Sequence, residues 1–430
     1  MSLRHSPVLP VFAASTMFLA GACMSAAQAA AAPKTVPVAF IDPLSGPFAN
    51  AGESSLRHFR AAFDRINARG GVAGYRFESV ALDSKGQVQE ALAQLRIAAD
   101  QGIRFVVQGQ SSAVALALSE AIAKHNAREP DRSMLLLNYA AVDPDLTNSR
   151  CSFWHFRFDA SSDMRVEALA SLLERERSIS RVYIIGQNYS FGQQVSRAAK
   201  EVLARRRPDI RIVGDDLHPL GQVKDFAPYV AKIKASGAEA VITGNWGNDL
   251  ALLIRAARQA ALEVRFYTFY AGSLGAVTAI GEAGAGRVIQ VNEWHANVGE
   301  PSIEGVAHAY KARFGEDYYF HRIGTLADML AAAIEGSRST EPLAVARTLE
   351  GMRHLTPLGE VQMRAADHQL LQPLYVSTLV KTGERGGDRA VRNDVEGTGL
   401  GFRTDARIEA YVTAQPTTCA MNRPPRRAPS

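Results

Sequence analysis

The chain has 430 residues, of which 47% are hydrophobic and 21% charged, and this composition is typical of a folded globular protein. The length suits two large lobes rather than one core and excludes disorder for most of the chain. The net charge of +5 comes without long runs of Lys or Arg, so nucleic acid is not an expected partner. The most basic stretch, residues 423–427, lies in a Pro-rich end, and we expect a flexible tail over residues 416–430.

Residues 1–32 have the pattern of a cleaved secretory signal peptide. Arg4 precedes an apolar run at residues 8–22, and small residues follow it. The run is shorter than the roughly 20 apolar residues of a membrane helix, and no later stretch approaches that length. Cys23 loosely resembles a lipoprotein cleavage site, but the large aliphatic Leu19 lies one position too far away, so a lipid anchor at Cys23 is not expected.

Two cysteines remain after removal of the signal peptide, Cys151 and Cys419. In an oxidising compartment, an even pair in so long a chain favours one structural disulfide, which would hold the C-terminal end. Two separate buried thiols are the alternative, because the sequence does not show that the two Cα atoms approach within bonding distance.

After the signal peptide, short apolar runs alternate with amphipathic helical patterns. This alternation is typical of parallel sheets covered by helices on both faces. In the first unit, Phe59, Phe63 and Ile66 recur at helical spacing behind the first strand. The strands predicted in this first series lie at residues 36–41, 77–82, 105–107 and 134–137.

A second series begins after Asp159 and repeats the alternation, so the sequence predicts two lobes. Helices predicted beyond this series must pack on one of the two sheets, so we expect the chain to cross between the lobes more than once. The Gly- and charge-rich stretch 382–401 predicts a surface loop. The fold class is therefore α/β, with two doubly wound parallel-sheet lobes. Strands of the second series are predicted at residues 182–185, 210–215, 240–243, 266–269 and 288–291.

The candidate site residues lie in loops after strands, because ligands of doubly wound sheets bind beyond the carboxyl ends of the strands. The loop at residues 42–52, which contains Phe48, is rich in Pro and Gly and suits a tight turn near a ligand; a plain turn is the alternative. Ser111 and Ser112 place two hydroxyls and free backbone N–H groups at a helix N-terminus, which attracts carboxylates. The alternative is that either serine only caps the helix.

The segment Gly109-Gln110-Ser111-Ser112-Ala113 also resembles a degenerate nucleophile elbow of a hydrolase. It departs from that motif at the last glycine, and the sequence assigns no His as a partner. Hydrolysis is therefore the weaker hypothesis. The histidines available later in the chain are His295, His321, His354 and His368.

Aromatic residues follow three successive strands of the second series, with Tyr189 and Phe191 first, then Trp246, then Tyr270. Each alone is more often a packing residue, but together they favour a pocket with apolar walls. The sequence has no His-Glu-x-x-His, Cys-x-x-Cys or Gly-x-x-x-x-Gly-Lys-Ser/Thr motif and no strand-linked Gly-x-Gly-x-x-Gly. We therefore expect no metal and no cofactor.

At these residues the chain resembles the periplasmic branched-chain amino-acid-binding (Leu/Ile/Val-binding-like) family, the type I solute receptors of ABC importers. The resemblance runs from about residue 36 to about residue 380, with matching order and spacing. The segments that carry it are Asp42-Pro43-Leu44-Ser45-Gly46-Pro47 with Gly52-Glu53, Phe63-Asp64-Arg65-Ile66-Asn67-Ala68-Arg69-Gly70-Gly71-Val72-Ala73-Gly74, Asp83-Ser84-Lys85, Ser111-Ser112, Asp143-Pro144-Asp145-Leu146-Thr147 and Tyr189-Ser190-Phe191-Gly192.

The resemblance implies a type I periplasmic binding protein fold, in which two lobes joined by three crossing segments close over the ligand. Ser111 or Ser112 and the backbone near Ala141 would hold a ligand carboxylate, while Phe191 and Trp246 would close from the second lobe. The resemblance implies that lobe one comprises residues 34–158 and 293–354. Lobe two would comprise residues 159–292 and 355–415.

Two positions depart from the family pattern. Amino-acid binders commonly have a Thr hydroxyl where this chain has Val142, and a Glu that pairs with the ligand ammonium where it has Ala271. A buried ammonium without an anionic partner costs several kcal/mol. Unless Asp249 or another acid replaces the Glu, the departures favour a carboxylate, amide, alcohol-derived or aromatic solute over an ordinary α-amino acid.

The sequence therefore predicts a periplasmic solute-binding protein of an ABC importer, which traps a small organic solute and is not an enzyme. We expect a monomer whose partner is a permease in the inner membrane. A periplasmic sensor that reports ligand occupancy to a membrane receptor is the alternative among binding proteins. A serine hydrolase is the alternative from another class.

Overall fold

The computed structural model describes residues 34–386 and 389–425. The predicted signal peptide, with Cys23, lies outside the described residues, as does the end of the predicted tail from residue 426. No helix in the described part of the chain combines the length and the apolar character needed to cross a membrane.

The first lobe is built on a five-stranded parallel sheet of order β2-β1-β3-β4-β5. The central strands are buried throughout because helices cover both faces, which explains their continuous apolar sequences. Phe59, Phe63 and Ile66 lie on the buried face of the first helix, as their spacing predicts. The elements are β1 (Lys34–Asp42), α1 (Ala49–Ala68), β2 (Tyr75–Asp83), α2 (Val88–Asp100), β3 (Phe105–Gln108), α3 (Ser112–Arg128), β4 (Leu135–Asn138) and β5 (His155–Arg157).

The chain then crosses to the second lobe, whose elements again alternate. Strands β6, β8, β9 and β10 form the parallel centre of a seven-stranded sheet, with β7 parallel at its edge. The elements are α4 (Ser162–Leu173), β6 (Arg181–Gln187), α5 (Ser190–Arg206), β7 (Arg211–His218), α6 (Ala227–Ala235), β8 (Ala240–Thr243), α7 (Gly247–Gln259), β9 (Arg265–Thr268), α8 (Ala276–Ile280) and β10 (Val288–Asn292).

After β10 the chain returns to the first lobe and adds three helices. Arg65 on α1 pairs there with Asp328 at 2.8 Å. It then crosses a third time and adds two antiparallel strands to the second sheet, which has the order β17-β14-β10-β9-β8-β6-β7. The elements are α9 (Pro301–Phe314), α10 (His321–Ser337), α11 (Pro342–Leu349), β11 (Arg353–Thr356), β12 (Gly359–Met363), β13 (Leu370–Leu371), β14 (Leu374–Lys381), β15 (Arg385–Gly386), β16 (Arg389–Ala390), β17 (Leu400–Ile408) and α12 (Ala410–Thr413).

The predicted α/β architecture with two lobes is confirmed, and every predicted strand overlaps an observed one. The second sheet differs from the prediction because it is mixed, with β14 and β17 antiparallel to their neighbours. The stretch 382–401 is also more ordered than a surface loop, since it contains the short pair β15 and β16 and the start of β17. The predicted residue boundaries of the lobes stay a prediction.

The structure joins Cys151 to Cys419, with the two Cα atoms 5.7 Å apart, so the predicted disulfide is present. The Thr417 hydroxyl also donates to the Thr147 carbonyl at 2.8 Å. The described residues 416–425 are therefore held against the first lobe, in contrast to the flexible tail expected there.

Candidate functional site

A cavity of about 190 Å³ lies between the two lobes, beyond the carboxyl ends of the strands. The first lobe contributes the loops after β1, β3 and β4 and the start of α10. The second lobe contributes the loops after β6, β8 and β9. Parallel strands bring these distant segments to one edge of each sheet, so the cleft is a direct consequence of the topology.

Asp42, the last residue of β1, fixes three first-lobe loops in place. Its buried carboxylate accepts hydrogen bonds from the backbone N–H groups of Gly109 at 2.9 Å and Gln110 at 3.0 Å. The Tyr139 hydroxyl at 2.7 Å and the Gln108 amide at 3.1 Å also donate to it. Burial raises the pKa of Asp42 to about 7, against the lowering effect of these donors. The loops after β1, β3 and β4 therefore form one rigid wall.

Ser111 and Ser112 lie at the N-terminus of α3 and line the cavity. The Ser111 hydroxyl accepts from the Val114 N–H at 3.4 Å, and the Ser112 hydroxyl accepts from the Asp143 N–H at 3.3 Å. Both hydroxyls keep their own hydrogen for a ligand, so Ser111 can cap the helix and donate to a ligand at the same time. With the helix dipole, this corner of the cavity suits an oxyanion.

The second lobe lines the cavity with aromatic side chains. The Trp246 indole N–H donates to the Tyr189 hydroxyl at 2.9 Å, and the rings of Phe191 and Tyr270 meet edge to face at 6.2 Å. Hydrogen bonding and ring packing thus hold these side chains in fixed positions.

The two lobes touch at the mouth of the cavity. The ring of Phe48 from the first lobe lies 4.6 Å from the Trp246 ring of the second. Gly221, in the loop after β7, has φ +67°, and a Cβ built on it would lie 3.1 Å from the Phe48 ring. A larger residue would press against that ring, so the glycine suits both the turn and the close approach of Phe48.

Asp249, named from the sequence as an acid that could replace the missing Glu, does not line the cavity. It is 2% exposed, and its carboxylate accepts from the Gln187 amide and from the Gly221 N–H, each at 2.8 Å. Among the described residues, none of those that line the cavity is Asp or Glu. The hypothesis that Asp249 receives a ligand ammonium is therefore not supported.

Arg322, at the start of α10, lines the cavity and was not among the sequence-predicted residues. Its guanidinium donates to both carboxylate oxygens of Glu293, at 2.8 and 2.9 Å, and lies 3.3 Å from Asp159. Asp159 also pairs with Arg165. Nothing in the pattern around position 322 distinguishes it from the other 47 of the 48 Lys and Arg residues in the sequence, because its partners come from distant segments.

All predicted ligand-binding residues except Ala271 line the cavity. They are Phe48, Ser111, Ser112, Ala141, Val142, Tyr189, Phe191, Trp246 and Tyr270. Ala271 is fully buried in the core behind the wall, so it is misplaced as a lining residue. The binding roles of the other residues stay a prediction.

The hydrolase alternative requires a base beside Ser111 or Ser112. None of His295, His321, His354 and His368 lines the cavity. His295 instead contacts the Thr404 hydroxyl, and His368 contacts Glu350. The described residues also contain no group of three or more His, Cys, Asp or Glu side chains placed to bind a metal ion.

The model of the family described as "Periplasmic binding protein" matches residues 35–384. The Leu/Ile/Val-binding protein homolog 4 of Brucella melitensis is 30% identical over 96% of this chain and 97% of its own length. The crystal structure of a leucine-, isoleucine-, valine-, threonine- and alanine-binding protein from Brucella ovis, in a closed conformation, has a TM-score of 0.81 and 30% identity. It covers 91% of this chain and 100% of its own.

A more distant fold relative is the solute-binding protein of an ABC transporter from Rhodopseudomonas palustris, solved with 3,4-dihydroxybenzoic acid. Its TM-score is 0.74 at 17% identity, and the match covers 87% of this chain and 98% of that one. The likeness concerns the fold.

Proposed function

This chain belongs to the periplasmic binding protein family, and from that premise we propose that it is the solute receptor of an ABC importer. The observation that carries the proposal is the cavity formed jointly by both lobes and covered at its mouth by Phe48 and Trp246. A small organic solute, such as a carboxylate, an amide or an amino-acid-like molecule, occupies it.

Binding and closure are linked. The aromatic wall belongs to one lobe and the Ser111 and Ser112 hydroxyls to the other, so only the closed form offers a ligand both sets of contacts. A ligand that binds this form more tightly shifts the population toward it. The closed form is then the one that the permease in the inner membrane recognises, and the lobes move about three hinges near residues 158, 292 and 354.

The protein acts as a receptor without catalysis. The hydroxyls of Ser111 and Ser112 face a cavity whose described lining holds no histidine and no carboxylate, so no side chain there is suited to remove a proton from them. Under this proposal, Ser111→Ala changes the affinity for the ligand. It abolishes no enzymatic turnover, because the wild-type protein has none.

The proposed site of action is the periplasm, reached through cleavage of the signal peptide at residues 1–32. The disulfide between Cys151 and Cys419 supports an oxidising compartment, where such bonds persist. We expect the mature protein to be a monomer.

A thermal-shift screen of the secreted protein tests the proposal, because a ligand that binds only the folded state raises the melting temperature. The panel contains amino acids, short carboxylates, amides, polyols and aromatic acids. We expect at least one class of compound to raise the melting temperature. Small-angle scattering with that ligand should then show a smaller radius of gyration. An unchanged radius at saturation would contradict the closing mechanism.

A further inference from the structure

Two polar groups at the cavity have no partner within the described part of the chain. One is Nη2 of Arg322, since the hydrogen bonds found for this guanidinium leave from Nε and Nη1. The other is the buried hydroxyl of Tyr270, which has no hydrogen-bond partner. Both residues line the cavity, one from each lobe. A buried polar group without a partner is costly, so these two groups point to something that the cavity receives.

Arg322 is held as a fixed cation. Its Nε donates to the Tyr139 carbonyl at 2.7 Å and its Nη1 to Glu293, which leaves Nη2 as the remaining nitrogen. Burial opposes its charge, but Asp159 and Glu293 outweigh burial and hold the pKa of Arg322 above its usual value. The group is therefore positively charged at any pH at which the protein functions, and its position does not depend on a ligand.

Tyr270 is a hydrogen-bond donor. Burial raises the pKa of its hydroxyl to about 12, so the phenol stays protonated. Its ring lies 5.1 Å from the Arg165 guanidinium, which fixes the ring from behind. An unpartnered phenol O–H donates most strongly to a charged acceptor such as an oxyanion.

The two acids beside Arg322 are already neutralised. Asp159 pairs with Arg165 and Arg322, and Glu293 pairs with Arg322. A ligand ammonium would therefore enter a space with two unpartnered donors and no free carboxylate on its described walls. Such a desolvated cation without a counter-charge is strongly disfavoured.

The walls favour a flat apolar body. Aromatic rings reach the cavity from both lobes, and they are Phe48, Tyr189, Phe191, Trp246, Tyr270 and Phe320. Rings of this kind pack well on a planar ligand, in stacked and edge-to-face arrangements.

We infer that the solute is a small aromatic carboxylate without an ammonium group, whose acid group is received by Arg322 and Tyr270. This inference rests on the proposed receptor function and specifies its substrate class. The inferred ligand class differs from the amino acids in the names of the Brucella relatives. It follows from the hydrogen-bond donors of this cavity and from the absence of Asp and Glu among its described lining residues.

Matched pairs of compounds that differ only in the ammonium group test the inference by calorimetry on the secreted protein. Suitable pairs are 3-phenylpropionate with phenylalanine, phenylacetate with phenylglycine, and 4-methylpentanoate with leucine. We expect the aromatic acids to bind, and each ammonium-bearing partner to bind at least about 100-fold more weakly. Tighter binding of the amino acids would overturn the inference while leaving the receptor function intact. Binding by no compound of these pairs or of the wider screen would instead count against the receptor function itself.

Tyr270→Phe tests the assignment of the acid group without disturbing the ion pairs. Because the hydroxyl has no partner among the residues that the structure describes, the variant should keep the melting temperature of the free protein and lose about 10-fold or more in affinity for the acid. Tyr183→Phe is the matched control, since its hydroxyl bonds Asp216 outside the cavity. Unchanged affinity in Tyr270→Phe would show that the acid group is held elsewhere, for example at Ser111 and Ser112.

Discussion

The two walls of the cleft are built by different means. The first-lobe wall presents small side chains and backbone groups around Ser111 and Ala141 beside Phe48, Phe320 and Arg322, and Asp42 locks its loops together from behind. The second-lobe wall presents large rings, and one of them, Trp246, contacts Phe48 of the other lobe at the mouth. The first lobe is thus a fixed frame that supplies directional donors, and the second is an apolar clamp whose contacts depend on closure.

The same division extends beyond the cleft. The first lobe also holds the disulfide, the buried Arg322 and a buried neutral His58. Removal of these buried groups should therefore lower stability, and changes to the aromatic residues of the second lobe should act mainly on binding. Four predictions test this comparison, in order of decreasing expected effect.

Removal of the disulfide has the largest expected effect. The bond closes a loop with a sequence separation of 268 residues, so its loss increases the freedom of the unfolded chain. We expect Cys151→Ser with Cys419→Ser to lower the free energy of unfolding by about 5 kcal/mol. Urea unfolding of this variant and of the oxidised wild type measures the difference.

The disulfide lies away from both walls of the cleft, so the ligand-induced rise in melting temperature should persist in the double variant. Reduction of the wild-type protein provides the matched control and should reproduce the loss. Equal unfolding midpoints with and without the bond would contradict the prediction.

Arg322→Met tests whether the fixed frame depends on its buried ion pairs. The substitution leaves Glu293 buried without its cation, and Asp159 keeps only Arg165. Breaking a buried pair in this way should lower the free energy of unfolding by about 4 kcal/mol. Arg313→Met is the control, because Arg313 pairs with Asp64 on the surface with both side chains 52% exposed. Arg313→Met should lower the free energy of unfolding by less than about 1 kcal/mol. Similar losses in both variants would contradict the expected difference between the buried and the exposed ion pair.

Acid should destabilise the first lobe through His58. Its Nδ1 contacts the Ser54 carbonyl at 2.8 Å and its Nε2 accepts from the Tyr319 N–H at 3.0 Å, so the ring is held neutral. Burial lowers the pKa of His58 from 6.5 to about 4. The unfolded chain therefore binds a proton first, and stability falls as the pH drops from about 6.5 to about 4.

The lowered pKa of His58 corresponds to a loss of about 3 kcal/mol in the free energy of unfolding across this pH range. Urea midpoints measured across this pH range should show a steeper acid loss in the wild type than in His58→Gln. His308→Gln, on the exposed face of α9, is the control. Identical pH curves for wild type and His58→Gln would remove His58 as the cause.

The sequence predicted the parallel centre of both sheets because buried strands leave continuous apolar runs that alternate with helical patterns. It missed β5, which has only three residues and includes His155 and Arg157. It also missed the antiparallel pairing of β14 with β17, which joins segments separated by a long connection. Such pairing depends on tertiary contacts that a local pattern does not contain.

The candidate site could be predicted where a residue directly follows a strand, as for Ser111 and Trp246. Ala271 was assigned through the family resemblance, and the structure instead buries it in the core while its neighbour Tyr270 lines the cavity. Arg322 escaped prediction because its role depends on Asp159 and Glu293, which lie far from it along the chain.

Trp246→Ala has the smallest expected effect on stability and tests the clamp. The substitution removes the contact with Phe48 and the hydrogen bond to Tyr189. We expect ligand affinity to fall by about 2 kcal/mol, roughly 30-fold, as for a central aromatic contact. The free energy of unfolding of the free protein should change little, because Trp246 is only partly buried.

Phe48→Ala should weaken binding in the same way, and the double variant should lose less than the sum of the two, since both substitutions remove one shared contact. Calorimetry on the four proteins gives this coupling, with Tyr411→Ala, 79% exposed and distant from the cavity lining, as the control. Full additivity would mean that Phe48 and Trp246 act independently. In that case the second lobe would bind the ligand without sealing the cleft, and the contrast between frame and clamp would not hold.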